Sequence, residues 1–163
     1  MNAAVNRPET GFTLHGRVRG EWIDYNGHMN VAYYVLAFDQ ATDAFLDVLG
    51  LDADYRARCR HTTFVLEMHV NYVREIDRDQ PYVIATRILD ADHKRVHLFH
   101  EMRHASEGWL AATNELMVMH IDMEARRGAD FPPEVAARAE AWLAAQRTLP
   151  WPEQAGSVIG IRR

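Results

Sequence analysis

The chain has 163 residues, 48% of them hydrophobic and 25% charged, which suits one globular domain with a sizeable core. A net charge of -5 and scattered basic residues exclude the basic patch of a nucleic-acid-binding or polybasic membrane-anchored protein. The single cysteine, Cys59, excludes an internal disulfide. The sequence contains no run of about 18 apolar residues, so it predicts no membrane span. We therefore expect a cytoplasmic protein.

The first predicted element is a strand at residues 12–19, where apolar and polar side chains alternate. The motif Trp22-Ile23-Asp24-Tyr25-Asn26-Gly27-His28-Met29-Asn30 follows it. A helix begins directly afterwards and ends at Gly50, which is placed as a stop. Helical spacing relates the expected buried positions, which are Val31, Tyr34, Val35, Phe38, Thr42, Phe45, Leu46 and Leu49.

Four alternating segments come next, at residues 62–74, 81–89, 94–104 and 109–122, separated by turn residues. One strand, one helix and then a run of strands excludes a doubly wound parallel sheet. The order favours an α+β fold, in which a curved antiparallel sheet packs its helix on one face. In the first of these segments we expect one set of side chains to meet the helix: Phe64, Leu66, Met68, Val70 and Tyr72.

The segment at residues 109–122 is apolar on both faces, so we expect the second face of the sheet to be covered and the protein not to be a monomer. A final helix is predicted at residues 132–146, with proline in its first turn. It could pack on the sheet or cap an interface. The tail from Thr148 onward is predicted to be irregular.

Asp24 lies just before the predicted start of the first long helix. The free N–H groups and the partial positive charge of a helix start suit a developing oxyanion, and Asp24 could supply a base or nucleophile beside them. Asn30 is better placed than Asp24 to cap the helix, although Asp24 could itself be a turn or capping residue. His28 could orient Asp24 or the attacking water, or could bond locally in the turn. Gly27 permits a positive φ.

Asp24, Gly27, His28 and Asn30, together with the tyrosines at 33 and 34, resemble the Asp-x-x-Gly-His-x-Asn-x-x-Tyr signature of hotdog-fold acyl-CoA thioesterases of the 4-hydroxybenzoyl-CoA thioesterase type. The resemblance implies a long antiparallel sheet wrapped around one central helix, and a homodimer or homotetramer. We therefore expect an N-terminal tail at residues 1–11, a hotdog domain at 12–125, and a C-terminal helix and tail at 126–163.

The resemblance also implies roles for individual residues. Asp24 would be the general base or nucleophile, with His28 and Asn30 beside it in the catalytic set. The backbone N–H groups of Val31, Ala32 and Tyr33 would hold the oxyanion. Other polar residues could line the site of the partner subunit or could simply be solvated, namely Glu67, His69 and, as a weaker candidate, Glu115.

Residues 50–56, 67–72 and 94–100 are similar to thioesterases of bacterial carnitine breakdown, some of which are fused to L-carnitine dehydrogenase. This closer resemblance implies hydrolysis of betainyl-CoA to glycine betaine and CoA. A trimethylammonium group binds best over aromatic faces. The aromatic candidates for the substrate site are Trp22, Tyr25, Tyr33 and Trp109, and the alternative for Trp22 is a purely structural position in the core.

His93, His97, His100 and His104 would gather into a metal site on a helix, but on a strand His97 faces away from His100 and His104. We therefore expect no metal and no other cofactor. The sequence has no glycine-rich phosphate loop, so CoA would have to bind through surface charge. The candidates are Lys94, Arg95 and Arg103, each of which could also be an ordinary solvated charge.

The alternative to a thioesterase is a non-hydrolytic hotdog domain that binds acyl-CoA as a sensor. Asp24 is the residue that discriminates between the two, because binding alone has little use for an unpaired carboxylate beside an electron-rich carbonyl.

Overall fold

The computed structural model describes Pro8 and residues 11–161, so most of the predicted N-terminal tail lies outside the described residues. It confirms the predicted α+β class and the predicted order of strand, helix and strands. The elements are β1 (Phe12–Arg17), α1 (Val31–Leu49), α2 (Ala53–Cys59), β2 (His61–Tyr72), β3 (Pro81–Ala91), β4 (Arg95–His104), β5 (Leu110–Asp122), β6 (Arg127–Gly128) and α3 (Pro133–Gln146).

Two of these elements have no counterpart in the sequence interpretation. The short helix α2 begins because the side chain of Asp52 accepts a hydrogen bond from the N–H of Tyr55 at 2.8 Å. At 7 residues it is too short to show a helical apolar period. The two-residue strand β6 pairs with the end of β5.

The sheet is antiparallel, with the strand order β1-β3-β4-β5-β2, and α1 packs on its inner face. The register brings Tyr72, Ala112, Met102 and Tyr82 to one end of the sheet. The phenol of Tyr72 donates to the carbonyl of Val31 at 3.2 Å. This end therefore carries the start of α1 and is called the N-cap end below. The opposite end, which carries His61, Asp122 and Arg95, is called the far end.

The predicted apolar stripe of α1 forms the centre of the core. Tyr34, Phe38, Thr42 and the residues that continue their row are buried, and the helix ends where Gly50 adopts a left-handed φ of 92°. The prediction that Val31 is a core residue is wrong, because Val31 is the first residue of the helix and is 56% exposed at the N-cap end. Val35 is only partly buried.

A β-bulge in β2 corrects part of the predicted inner face. The pairing with β5 shifts between Val65 and Glu67, which leaves Leu66 as an extra residue. The shift turns Phe64 to the outer face, opposite Met119, and turns Val65 inward, opposite Val118. Met68 and Val70 pack in the core as predicted, whereas Phe64 is 44% and Leu66 is 50% exposed. A bulge is invisible to simple alternation, because one extra residue exchanges the two faces.

The second face of the sheet is covered in part by the end of the chain. Helix α3 lies on the inner side, in the same core as α1, with the rings of Trp142 and Phe45 edge to face at 5.1 Å. The cover of the outer face comes from the residues after α3. Beyond α3 the irregular tail runs over the outer face, where Arg87 donates to the carbonyl of Pro150 at 3.0 Å. The expected cover thus comes from this chain's own C-terminal segment.

The histidines of β4 separate as the strand alternation predicts. His97 lies on the outer face, 2.8 Å from Glu115, whereas His100 is buried between α1 and the sheet. Among the described residues, no three histidine, cysteine or acidic side chains gather closely enough to hold a metal ion. No helix in this same part of the chain is both long and apolar enough to cross a membrane.

His100 is held by two threonines. The hydroxyl of Thr42 donates to the carbonyl of Phe38 at 3.0 Å, so it can only accept from Nε2 of His100, 2.9 Å away. Nδ1 of the imidazole therefore carries no proton and accepts from Thr86 at 2.9 Å. Burial lowers the pKa of His100 from 6.5 to about 3, so the ring stays neutral in the folded protein.

We predict that His100 makes the protein less stable in acid. Below pH 6.5 the imidazole of His100 binds a proton in the unfolded chain, whereas in the folded chain it does not bind one until about pH 3. The group thus lowers the free energy of unfolding by about 1 kcal/mol for each pH unit of acidification in that window. Urea unfolding between pH 4 and 7 measures the slope. His100→Gln should flatten it, and His15→Gln, at an exposed position, should not; an unchanged slope in His100→Gln contradicts the assignment.

Candidate active site

The motif at residues 22–30 folds into a tight loop that leads into α1. The N–H of Asp24 donates to the carbonyl of His28 at 3.1 Å, and the N–H of Gly27 donates to the carbonyl of Asp24 at 3.1 Å. Gly27 has a φ of +93°, a left-handed conformation that costs other residues strain, which explains the glycine. The N–H of Met29 donates to the carbonyl of Ile76 at 2.9 Å, so the segment after β2 holds the loop in place.

The carboxylate of Asp24 is half-buried at the mouth of a cleft. Its Oδ1 accepts a hydrogen bond from the N–H of Asn26 at 2.8 Å, which fixes its orientation. Its other oxygen has no hydrogen-bond partner among the described residues. Asp24 therefore does stabilise the turn, as the alternative interpretation holds, but only through one of its two oxygens.

Asn30 caps α1, as its position predicts. Its side chain accepts from the N–H of Ala32 at 3.0 Å, and its carbonyl accepts from the N–H of Tyr33 at 3.0 Å. These bonds occupy two of the three donors expected to hold an oxyanion. The remaining donor, the N–H of Val31, has no acceptor within the described part of the chain. It lies at the positive end of a 19-residue helix.

The cleft at this helix start has a volume of about 250 Å³. Residues from the loop, from α1 and from the segment after β2 line it: Asp24, Asn26, His28, Met29, Val31, Tyr34, Tyr72, Val73, Arg74 and Glu75. The imidazole of His28 reaches the cleft, and no hydrogen bond of its side chain is formed with another described residue. The cleft thus combines an unpaired carboxylate oxygen, a free backbone donor and two phenol rings.

The two phenols differ in burial. Tyr34 is 4% exposed and meets the half-exposed ring of Tyr72 edge to face, with the ring centroids 5.3 Å apart. Burial raises the pKa of Tyr34 to about 12. Burial also raises the pKa of Tyr72. Both phenols are neutral near pH 7, and the half-exposed ring of Tyr72 offers apolar surface to a ligand.

Trp22 and Tyr33 do not line the cleft of Asp24. The two rings stack on each other with their centroids 5.5 Å apart, and the guanidinium of Arg19 lies 5.3 Å from the Trp22 ring. Trp22 is 4% exposed. It is the last residue of a 3₁₀ turn, Gly20–Trp22, which precedes the loop of Asp24.

The other two aromatic candidates are not cleft residues either. Tyr25 is 97% exposed. Trp109 lies between the guanidinium of Arg74, 4.2 Å from its ring centroid, and the stacked ring of His104 at 5.1 Å. Its ring therefore contacts Arg74, which lines the cleft.

Glu67 and His69 lie on the outer face of β2, in a different cavity from Asp24. Glu115 lies in this outer cavity too and is paired with His97. The cleft of Asp24 is at the start of α1, on the inner side of the sheet of the same protomer. The structure therefore separates these residues from the catalytic candidates.

The three cations expected to bind CoA do not form one site. Arg95 and Arg103 are eight positions apart on β4, which separates them by about 26 Å. Lys94 and Arg95 lie at the far end of the sheet, and Arg95 is paired with Asp92 at 2.6 Å. Arg103 alone lies at the N-cap end, where it donates to the carbonyl of Gly108 at 3.2 Å.

The sequence interpretation missed the wall formed by Val73, Arg74 and Glu75, and it assigned Tyr72 only to the core. A usable signal existed, because β2 must return to the end of the sheet where α1 begins. The residues that follow this strand are therefore candidates for the wall of any site at the helix start.

The chain matches known proteins along most of its length. Residues 18–139 match the family described as the thioesterase-like superfamily. A betainyl-CoA thioesterase of Pseudomonas aeruginosa is 40% identical over 149 residues, covering 91% of this chain and 94% of that protein. An L-carnitine dehydrogenase/betainyl-CoA thioesterase of Agrobacterium fabrum is 41% identical over 150 residues, but this chain spans only 30% of its length.

A solved structure shows the same fold. A Staphylococcus aureus protein in complex with CoA superposes with a TM-score of 0.90 at 34% identity, covering 99% of this chain and 100% of that one. The curved sheet around one central helix is therefore shared from end to end, including the C-terminal segment.

We predict that the cap at Asn30 contributes measurably to stability. Asn30→Ala leaves the N–H of Ala32 without its acceptor and should lower the free energy of unfolding by about 1 kcal/mol. Asn30→Asp retains an acceptor and should lose much less. Thermal and urea unfolding provide the measurement. Asn26→Ala is the matched control, because only the backbone of Asn26 is hydrogen-bonded to Asp24; equal losses in the alanine variants argue against the cap.

Proposed function

The chain belongs to the thioesterase-like superfamily and has a hotdog fold, and from that premise we propose that it hydrolyses a short acyl-CoA, with betainyl-CoA as its substrate, in the cleft of Asp24. The observation that carries the proposal is the pairing, in one cleft, of an unpaired carboxylate oxygen with the free N–H of Val31. The identity of 40% to a betainyl-CoA thioesterase supports the choice of substrate.

In this proposal the thioester carbonyl lies at the start of α1, with its oxygen facing the N–H of Val31. Asp24 accepts the proton of a water that attacks the carbonyl carbon, or attacks that carbon itself and is released by a later water. Both routes need the oxygen that the turn leaves unpaired. The C–S bond then breaks, and CoA leaves as a thiolate, which needs little acid assistance because the pKa of a thiol is low.

The positive charge of a betainyl group suits the composition of the cleft. Asp24 and Glu75 contribute negative charge, while Tyr72 presents a half-exposed ring. Because the rings of Trp22 and Trp109 are already covered, we propose Tyr72 as the main aromatic contact of the trimethylammonium group. Arg74 opposes this attraction, but it is held against the ring of Trp109.

We also propose that the working unit contains a homodimer formed through the free edge of β2. The strand lies at one end of the sheet order and exposes Phe64, Val65 and Leu66 by 44%, 41% and 50%. An edge strand with such side chains favours pairing with another strand. A homotetramer would be a pair of these dimers. A cytoplasmic location is part of the proposal and fits Cys59, which is an exposed free thiol.

The first prediction from this proposal concerns Asp24. Asp24→Asn should lower kcat for thioester hydrolysis by about 10²- to 10⁴-fold, because the amide cannot accept the proton or attack. Release of free thiol from betainyl-CoA measures the rate. Asp39→Asn, an exposed substitution on α1, is the control and should leave the rate unchanged. Retained turnover in a folded Asp24→Asn protein contradicts the role of Asp24. An unmodified protein that binds CoA thioesters but releases no thiol from them favours the non-hydrolytic acyl-CoA-binding function instead.

The second prediction concerns substrate charge. Tyr72→Leu should lower kcat/KM for betainyl-CoA by about tenfold, since a desolvated cation–π contact contributes about 1 to 2 kcal/mol. The comparison substrate is 3,3-dimethylbutyryl-CoA, in which a neutral carbon replaces the nitrogen and the shape is unchanged. Its kcat/KM should change little in the same variant. Equal losses for both substrates would remove the case for cation recognition by Tyr72.

A further inference from the structure

The C-terminal tail crosses the outer face of the sheet strand by strand. Pro150 accepts a hydrogen bond from Arg87 on β3, and the ring of Trp151 lies edge to face with His97 on β4, 6.4 Å between centroids. The N–H of Gly156 then donates to Oε2 of Glu115 on β5 at 2.7 Å. The tail therefore runs in one direction, from β3 towards the free edge of β2.

This path is anchored rather than incidental. Glu115 accepts from Gly156 with one oxygen and contacts His97 with the other at 2.8 Å, so a single carboxylate joins the tail to two strands. Phe99, which the register places on the outer face beside Glu115, is fully buried, and Pro152 of the tail is buried as well. The part of the tail at residues 150–156 therefore contacts the sheet within a single protomer.

The segment after Ser157 makes none of these contacts with the described residues. Gly156 and Ser157 share the wall of a cavity with Glu67 and His69 on β2. Beyond this point come Val158, Ile159 and Ile161, which are 84%, 88% and 88% exposed. Three β-branched apolar side chains exposed to this extent, directly after the residues that share a cavity with β2, indicate a surface that another element covers.

A receiving surface of matching character lies on the same strand. The bulge at Leu66 turns Phe64 to the outer face, and the side chains of Phe64 and Leu66 are both about half exposed. In an antiparallel β2–β2 pair with its two-fold axis at the strand midpoint, Glu67 lies opposite Leu66 of the partner subunit. In the same arrangement His69 lies opposite Phe64 of the partner subunit. The tail of one copy thus leaves its own sheet directly beside the exposed apolar pair of the other.

From this geometry we propose that residues 158–161 dock on the outer face of a second copy, over Phe64 and Leu66, so that two copies exchange their tails across the β2 edge. The inference rests on the homodimer proposed above and names an interaction additional to strand pairing. It accounts for the bulge in β2 and for the direction of the tail with one contact.

Disulfide cross-linking in a Cys59→Ser background tests the exchange. The double variant Phe64→Cys/Ile159→Cys should oxidise to a covalent dimer on a non-reducing gel, and neither single variant should do so. Ser106→Cys/Ile159→Cys is the matched control, because Ser106 lies exposed in the β4–β5 turn, away from β2. It should remain uncross-linked.

Sedimentation of the unoxidised double variant separates the two proposals. If the protein sediments as a dimer but gives only monomeric species on the gel, the exchange is overturned and the β2 dimer stands. The tail then folds on its own protomer or on neither. A monomer in sedimentation overturns both. Removing residues 158–163 should raise the dimer dissociation constant by about tenfold if the tail contributes to association; an unchanged constant in a dimeric protein overturns the exchange.

Discussion

The site depends on the backbone hydrogen bonds that hold the loop at residues 23–30 against the rest of the domain. The N–H of Met29 bonds to Ile76 and the N–H of Asn30 bonds to the carbonyl of Trp22, both at 2.9 Å. These bonds fix where α1 begins, and Asn30 then caps it. Because the same loop carries Asp24, the position of the carboxylate relative to the first helical N–H is set by secondary structure and not by flexible side chains.

Most of the aromatic and histidine side chains near the start of α1 pack against other groups of the domain, and few are open to a ligand. Trp22 and Trp109 each have cations or rings against their faces, and His100 is neutral between two threonines. These groups stiffen the domain around the helix start but are closed to a ligand. In the proposed function, recognition in the cleft therefore depends on the few side chains that remain open, above all Tyr72 and the carboxylates beside it.

On the outer face of the sheet, two features lead towards the free edge of β2. One extra residue in β2 reverses the direction of Phe64, and a carboxylate on β5 directs the tail towards the same edge. In a single protomer these two features leave apolar surface in water on both the strand and the tail. In the proposed tail exchange, a second copy related by a two-fold axis would cover both surfaces at once, because the tail of each copy would meet the strand of the other.

The sequence alone was enough to predict the fold class, the ends of α1, the cap at Asn30 and the separation of His97 from His100. Each of these follows from local periodicity or from one residue beside a helix end. The inner faces of β3, β4 and β5 obey the same alternation except at the register shifts beside Leu89 and Ala111. Asp24 could be singled out as the catalytic candidate for the same reason, since the cap was already assigned to a neighbouring residue.

The tertiary structure decided what depends on register and on long-range packing. A bulge exchanged the faces of half of β2, and strand length placed Lys94 and Arg95 at the opposite end of the sheet from Asp24. A 3₁₀ turn carried Trp22 into the core, and the chain reversal after β2 brought Tyr72 to Glu75 into the cleft wall. None of these has a local signature, because each arises from how distant segments pair, and a one-residue shift in pairing is enough to redirect a side chain.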